Sequence, residues 1–167
     1  MQYTVDVHTH TVASGHAYST LQENIRHAAE IGMKMVGISD HGIAMPGGPG
    51  YLHFQALRMV PRVMYGVEVL RGVEANILDY EGHLDMEDQW LKKLDFVIAS
   101  YHDVCVVPST PEVHTQGLLA VMENDYVDII GHSGNPMYEM DIPRFVKAAK
   151  EKNKLIEINN SSFSKAR

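Results

Sequence analysis

Side chains of the metal-ligand type recur along this chain at the spacing of one strand–helix unit. From His8 to His41 is 33 residues, and from His41 to Glu74 is another 33. Glu74 to His102 is 28 residues, His102 to His132 is 30, and His132 to Asn159 is 27. Each interval suits a βα unit of roughly 30 residues. Each of these residues also closes a short run rich in β-formers: Tyr3–His10, Met35–Ser39, Val67–Ala75, Asp95–Ser100, Asp128–Gly131 and Leu155–Ile158. Helical stretches lie between them. Thr20-Leu-Gln-Glu23 is a capping box opening a helix that carries Leu21, Ile25 and Ala28 on one face, and Gly32 marks its end. Further helices are expected around Phe54–Met59, Met86–Lys93, Pro111–Glu123 and Pro143–Lys152.

Alternating strands and helices imply an α/β fold with a mainly parallel sheet. In an open doubly wound sheet the ligands would gather at the switch point. Six successive strand ends bearing ligand-type residues instead suggest a β/α barrel, whose active site sits at the carboxyl ends of its strands. A full eight-stranded barrel needs at least ~200 residues. With 167 residues the chain accounts for about six βα units of one domain spanning 1–167, C-terminally incomplete as a barrel.

Composition narrows the function. The formal net charge is -7 and no dense Lys/Arg run occurs, so nucleic acid is disfavoured as a partner. No apolar run approaches the ~18 residues of a membrane span, and Met1–Asp6 lacks the charged-then-apolar pattern of a signal segment, so no membrane partner is expected. A single cysteine, Cys105, fits a reducing, cytoplasmic setting. Histidine is abundant, at 10 residues, and it is the commonest metal ligand.

Asp6-x-His8-x-His10 places three polar side chains on one strand face, where two imidazoles can grip one ion and Asp6 can orient a ligand from behind. Ser39-Asp40-His41-Gly42 leaves a buried strand for a Gly/Pro-rich loop. Glu74 ends a largely apolar strand; it either pairs with Arg71 or bridges two cations, since a lone buried charge is costly. His102 and His132 would each be unremarkable alone, but in register with the others they read as ligands.

The opening Asp6-x-His8-x-His10, His16, Ser39-Asp40-His41-Gly42, Gly72-Val73-Glu74-Ala75-Asn76, His102 and Gly131-His132 together resemble the PHP (polymerase and histidinol phosphatase) family. Thr11–Ser14, Leu70-Arg71-Gly72 and Glu157-Ile158-Asn159-Asn160-Ser161-Ser162-Phe163 are similar to the YcdX-type small metal-dependent phosphatases of bacteria. The resemblance implies a distorted seven-stranded β/α barrel with a trinuclear centre, usually zinc, sometimes with manganese or iron. It implies that His8 and His10 hold one ion with Glu74 as a bridge, that Glu74, His102 and His132 hold a second, and that His16 and His41 hold a third. It implies a phosphatase in which a metal-bound hydroxide attacks a small phosphomonoester, with Glu74, His102 and His132 acting through the metal. The family's Asp-x-His motif near the C-terminus has no counterpart in these 167 residues.

Other readings keep the site and change its use. A phosphodiesterase or exonuclease of PHP type would need a partner to present DNA. An amidohydrolase would use a lysine on its fourth strand, where this chain has His102. A non-catalytic metal-binding protein is the remaining alternative, and open strand edges leave room for a homo-oligomer. His27, His83 and His114 read as surface residues, His53 as part of a loop near the site, and Asn135 as a substrate contact or a turn former. Cys105 reads as an inert thiol, and Lys147, Lys150, Lys152 and Lys154 as a solvated helical face.

Overall fold

The computed structural model describes residues 3–159. Seven strands are joined in one sheet: β1 (Val5–Asp6), β2 (Met35–Ile38), β3 (Val63–Met64), β4 (Val67–Asn76), β5 (Phe96–Ser100), β6 (Ile129–Ile130) and β7 (Leu155–Ile156). The order is β1-β2-β4-β5-β6-β7, every neighbouring pair parallel, with β3 antiparallel to the start of β4. Each new βα unit therefore lays its strand beside the last, as in a barrel wall, with none of the order reversal of a doubly wound sheet. The helices are α1 (Leu21–Glu30), α2 (Tyr51–Ala56), α3 (Asp88–Leu91), α4 (Pro111–Val121) and α5 (Ile142–Glu151). No helix among the described residues is long and apolar enough to cross a membrane.

Local chemistry explains the elements. Both hydrogen bonds of the Thr20/Glu23 capping box form, and Ile25 and Ala28 of α1 pack on Val36, Ile38, Val67 and Val69. Thr110 caps α4 and Asp141 caps α5, each with a proline in the first turn. The ten-residue β4 hands the sheet over: Glu68–Arg71 face β2, and Gly72–Asn76 face β5.

Alternation along the strands separates two apolar layers. Val73, Ala75, Val97, Ala99 and Ile130 join the large core beneath the helices. Phe96, Ile98 and Ile129, with Val7 and Leu70 against them, form a second cluster on the opposite face. Phe96 lies across two neighbouring strands there. A Cβ on Gly72 would stand 2.3 Å from its ring, and one on Gly37 2.7 Å, so only glycine fits beneath that ring. In register with Gly72 and Glu74 of β4, Phe96 and Ile98 put this cluster on the sheet face that carries Glu74.

Four differences from the sequence reading have physical reasons. The first run pairs regularly only over Val5–Asp6, because His8 and His10 leave the ladder to enter the cleft. The β3–β4 hairpin turns on Tyr65-Gly66, both at positive φ, and this dipeptide lacks the Asn-Gly signature that marks such turns. His114, read as solvent-facing, is buried at 1% exposure: Ser109 N–H donates to its Nε2 at 2.7 Å, and its Nδ1 lies 2.7 Å from the Glu139 carbonyl. The reason is that α4 is buried on several sides, with Thr115, Gly117, Leu118 and Val121 also enclosed. Lys154 likewise departs from a solvated face, donating to the carbonyls of Asn124 and Val127.

Candidate metal centre

At the carboxyl ends of the parallel strands, His8, His10, His16, His41, Glu74, His102, His132, Glu157 and Asn159 line one open cleft of about 330 Å³. All seven residues singled out as ligands meet there. Glu74, on β4, is the centre and is 1% exposed. His132 Nε2 lies 2.9 Å from its Oε1, His8 Nε2 3.2 Å and His102 Nε2 3.4 Å. His41 Nδ1 lies 2.9 Å and His10 Nε2 3.2 Å from Oε2. Five imidazoles thus converge on one carboxylate.

Three subsets could each hold one ion: His8, His10 and Glu74; His41, Glu74 and His102; and His10, His16 and His41, with the ligand atoms of each set within 4.8 Å of one another. The resemblance grouped His132 with Glu74 and His102. In the structure His41 stands in that set, while His132 keeps its direct contact with Glu74.

The donor set is imidazole and carboxylate, which suits zinc and similar divalent ions. A second observation agrees. His41 Nδ1 and Glu74 Oε2 are buried and 2.9 Å apart, yet among the described residues neither has a hydrogen-bond partner. Unpaired buried polar atoms are costly, and a shared cation removes that cost.

Electrostatics divide the histidines. Burial opposes a charged His8, but contacts with Glu157 and Glu74 outweigh it and raise its pKa to about 10. Burial lowers the pKa of His41, and the neighbouring His10 and His102 rings push the same way against Glu74. Burial would raise the Glu74 carboxyl, but the surrounding imidazoles hold it well below the usual carboxylate range. The metal-free His8 therefore carries a proton at neutral pH, and a ligating imidazole cannot keep both of its protons. Zinc binding near pH 7 should release at least one proton, and affinity should rise with pH toward 10. Calorimetry in two buffers of different ionisation enthalpy reads this directly, and a buffer-independent heat would contradict it.

Glu157 is the site residue that sequence reasoning missed. Its Oε1 lies 3.1 Å from His8 Nδ1, and its Oε2 accepts the His132 N–H at 2.5 Å. Contacts with His8 and His132 overcome its burial and hold its carboxyl at about 2. It ties the end of β7 to those of β1 and β6. Strand alternation would send His132 outward beside Ile130, but its φ of 23° turns it into the cleft. Non-glycine residues pay for such a conformation, typically ~1–3 kcal/mol, and the Glu157 bond helps hold it. Glu157 follows a strand in register, but the 27-residue interval from His132 leads to Asn159.

The other candidates resolve plainly. Asp6 reaches His8 only through the backbone, accepting its N–H at 3.1 Å. Arg71 pairs with Asp95, leaving Glu74 to the histidines. His53 Nε2 lies 3.0 Å from Asp40 Oδ2, Asn135 caps the turn Pro136–Tyr138, and His27 and His83 are exposed. Burial, with Asp85 and Asp103 nearby, pushes the Cys105 thiol up to about 11, so little thiolate forms. Of the segment Glu157–Phe163, residues 160–163 lie outside the described residues.

Comparison with known families decides the kinship. The PHP domain model matches residues 6–161. The chain belongs to the PHP family. Among PHP relatives, a probable phosphatase of Acetivibrio thermocellus is 55% identical over 163 residues, covering 98% of this chain and 68% of the relative. A probable phosphatase of Clostridium novyi is 54% identical over 167 residues, covering 100% of this chain and 68% of the relative. Among solved structures, a histidinol phosphate phosphatase from Lactococcus lactis, complexed with zinc, L-histidinol and phosphate, superposes with a TM-score of 0.61 at 14% identity. That match covers 93% of this chain and 73% of the other, and at such identity it is a likeness of fold. The parallel wall β1-β2-β4-β5-β6-β7 is thus part of a PHP β/α barrel.

Proposed function

We propose that this PHP chain is a metal-dependent phosphatase acting on small phosphomonoesters, with residues 1–167 as one PHP domain. Its multinuclear centre is held by His8, His10, His16, His41, Glu74, His102 and His132, with zinc the first candidate and manganese or iron the alternatives. The observation that carries this reading is the convergence of five imidazoles within 3.4 Å of one buried carboxylate. The relatives named probable phosphatases and the zinc- and phosphate-bound neighbour support the same reaction class.

Divalent ions at such a site activate water at neutral pH and neutralise phosphoryl charge. The chain's own residues do the rest. Glu74 offers two oxygens, so a single side chain can serve adjacent ions. Burial lowers the His41 pKa and so favours the neutral ring, in which one nitrogen offers a lone pair to an ion. Glu157 orients His8 and holds His132 in the cleft. A cleft of about 330 Å³ admits a phosphoryl group with a small alcohol and stays open on one side for the leaving group.

The test is hydrolysis of p-nitrophenyl phosphate with added zinc or manganese, repeated after chelation. Turnover that disappears with chelator and returns with metal is expected. A chain that binds metal yet hydrolyses no phosphomonoester would instead favour the non-catalytic reading.

A further inference from the structure

Asp40 is fully buried and stands apart from the ring of ligands around Glu74. Its Oδ1 accepts the Thr11 N–H at 2.7 Å and the Ser14 hydroxyl at 2.7 Å. Its Oδ2 accepts the Thr11 hydroxyl at 2.9 Å and lies 3.0 Å from His53 Nε2. These contacts gather the turn after β1 and the start of α2 around one carboxylate.

Ser14 links this carboxylate to the metal centre. A hydroxyl has one proton to donate, and Ser14 gives it to Asp40. Its oxygen is then left to accept, and it has two neighbours: the His41 backbone N–H at 3.1 Å and His10 Nδ1 at 3.0 Å. An oxygen that can only accept requires His10 to carry its proton on Nδ1. The neutral imidazole then has a bare Nε2, and that nitrogen faces Glu74 Oε2 at 3.2 Å. Two acceptors turned toward each other across so short a gap form an arrangement that a cation stabilises.

We infer that Asp40, acting through Ser14, is the positioning carboxylate of the centre: it fixes the His10 tautomer so that Nε2 faces the cleft, and it anchors the His41 backbone. Partners of this kind raise ligand basicity and fix ring orientation, and losing one typically costs roughly 10–100-fold in metal affinity. The inference rests on the metal-centre reading above.

Two measurements test it. In ¹⁵N-labelled, metal-free wild type, at a pH where the His10 ring is neutral, the imidazole shifts should report the Nδ1–H form. In Ser14→Ala the form should become mixed or change to Nε2–H. In zinc competition against a chromogenic chelator, Ser14→Ala should bind roughly 10–100-fold more weakly. A purely structural role for Ser14 would leave the tautomer unmoved. An Nε2–H tautomer in wild type, or a Ser14→Ala chain with unchanged tautomer and zinc affinity, overturns the inference while leaving the metal centre standing. A wild type that takes up no zinc overturns the metal-centre reading itself, and the ligand-positioning role of Asp40 falls with it.

Discussion

Glu74→Ala is expected to abolish metal-dependent turnover, by more than about a thousand-fold, while the chain remains folded and soluble. Three decades of rate correspond to ~4 kcal/mol, within the several kcal/mol that metal ions supply to phosphoryl chemistry. The size follows from geometry. Glu74 contributes to two of the three candidate ion sets, and it is the only carboxylate in any of them. Without it, up to six imidazoles would have to share two or three dications with no compensating negative charge at the centre. In the metal-free chain removal also costs the Glu74 contacts of His132 and the charged His8, but His8 keeps Glu157 and the cleft is open to water. Folding should therefore suffer far less than activity. Glu74→Gln separates charge from shape: it keeps an oxygen near His132 but loses the charge, so metal content should fall with turnover although the side-chain volume is preserved. Activity within tenfold of wild type in either variant, with metal content intact, would remove Glu74 from its central role.

The parts of this molecule legible in the sequence are those where one local rule governs. The ~30-residue spacing placed His41, Glu74, His102 and His132 at strand ends, and the structure brings them to one cleft. The Thr20/Glu23 box and the Pro111 and Pro143 starts located helices because capping is a local reaction of side chain with backbone. What the sequence concealed depends on several segments at once. Glu157 matters because β7 closes toward β1, so that its two oxygens meet His8 and the His132 amide from different units. His114 looks like a surface residue because α4 is enclosed by segments distant in sequence, with the Tyr80 and Tyr138 rings against the imidazole and nothing in the α4 periodicity to announce it. Asp40 stands beside His41 in the sequence, whereas its partners Thr11 and Ser14 come from a turn 26–29 residues earlier.

That buried junction sets the second large expectation: Asp40→Ala should cost about 3–5 kcal/mol of folding stability in the metal-free chain, the range for breaking a buried charged network. The substitution strands the Thr11 N–H and two hydroxyls, and each buried donor left without a partner costs ~1–3 kcal/mol. Not all of that adds, since His53 and the Ser14 hydroxyl can relax toward other partners or water. For a chain of this size, ~1 kcal/mol moves Tm by about 2–4 °C, so a fall of roughly 10 °C is expected. Urea denaturation would show it as a lower midpoint with little change in slope. Asp40→Asn, which keeps one acceptor oxygen, should lose less. The pH dependence discriminates further. Burial alone would raise the Asp40 carboxyl, but His53, the Thr11 N–H and the Ser14 and Thr11 hydroxyls outweigh it and hold it at about 2, below the ordinary 3.8. A depressed carboxylate stabilises the fold fully above its unfolded pKa and loses that stabilisation as pH falls through the folded value. Wild type should therefore shed the Asp40 contribution between about pH 4 and 2, whereas Asp40→Asn, having nothing to protonate there, should lack that component of the acid loss. Equal midpoints for wild type and Asp40→Ala at neutral pH would mean that the turn after β1 and the start of α2 are held by packing rather than by this carboxylate.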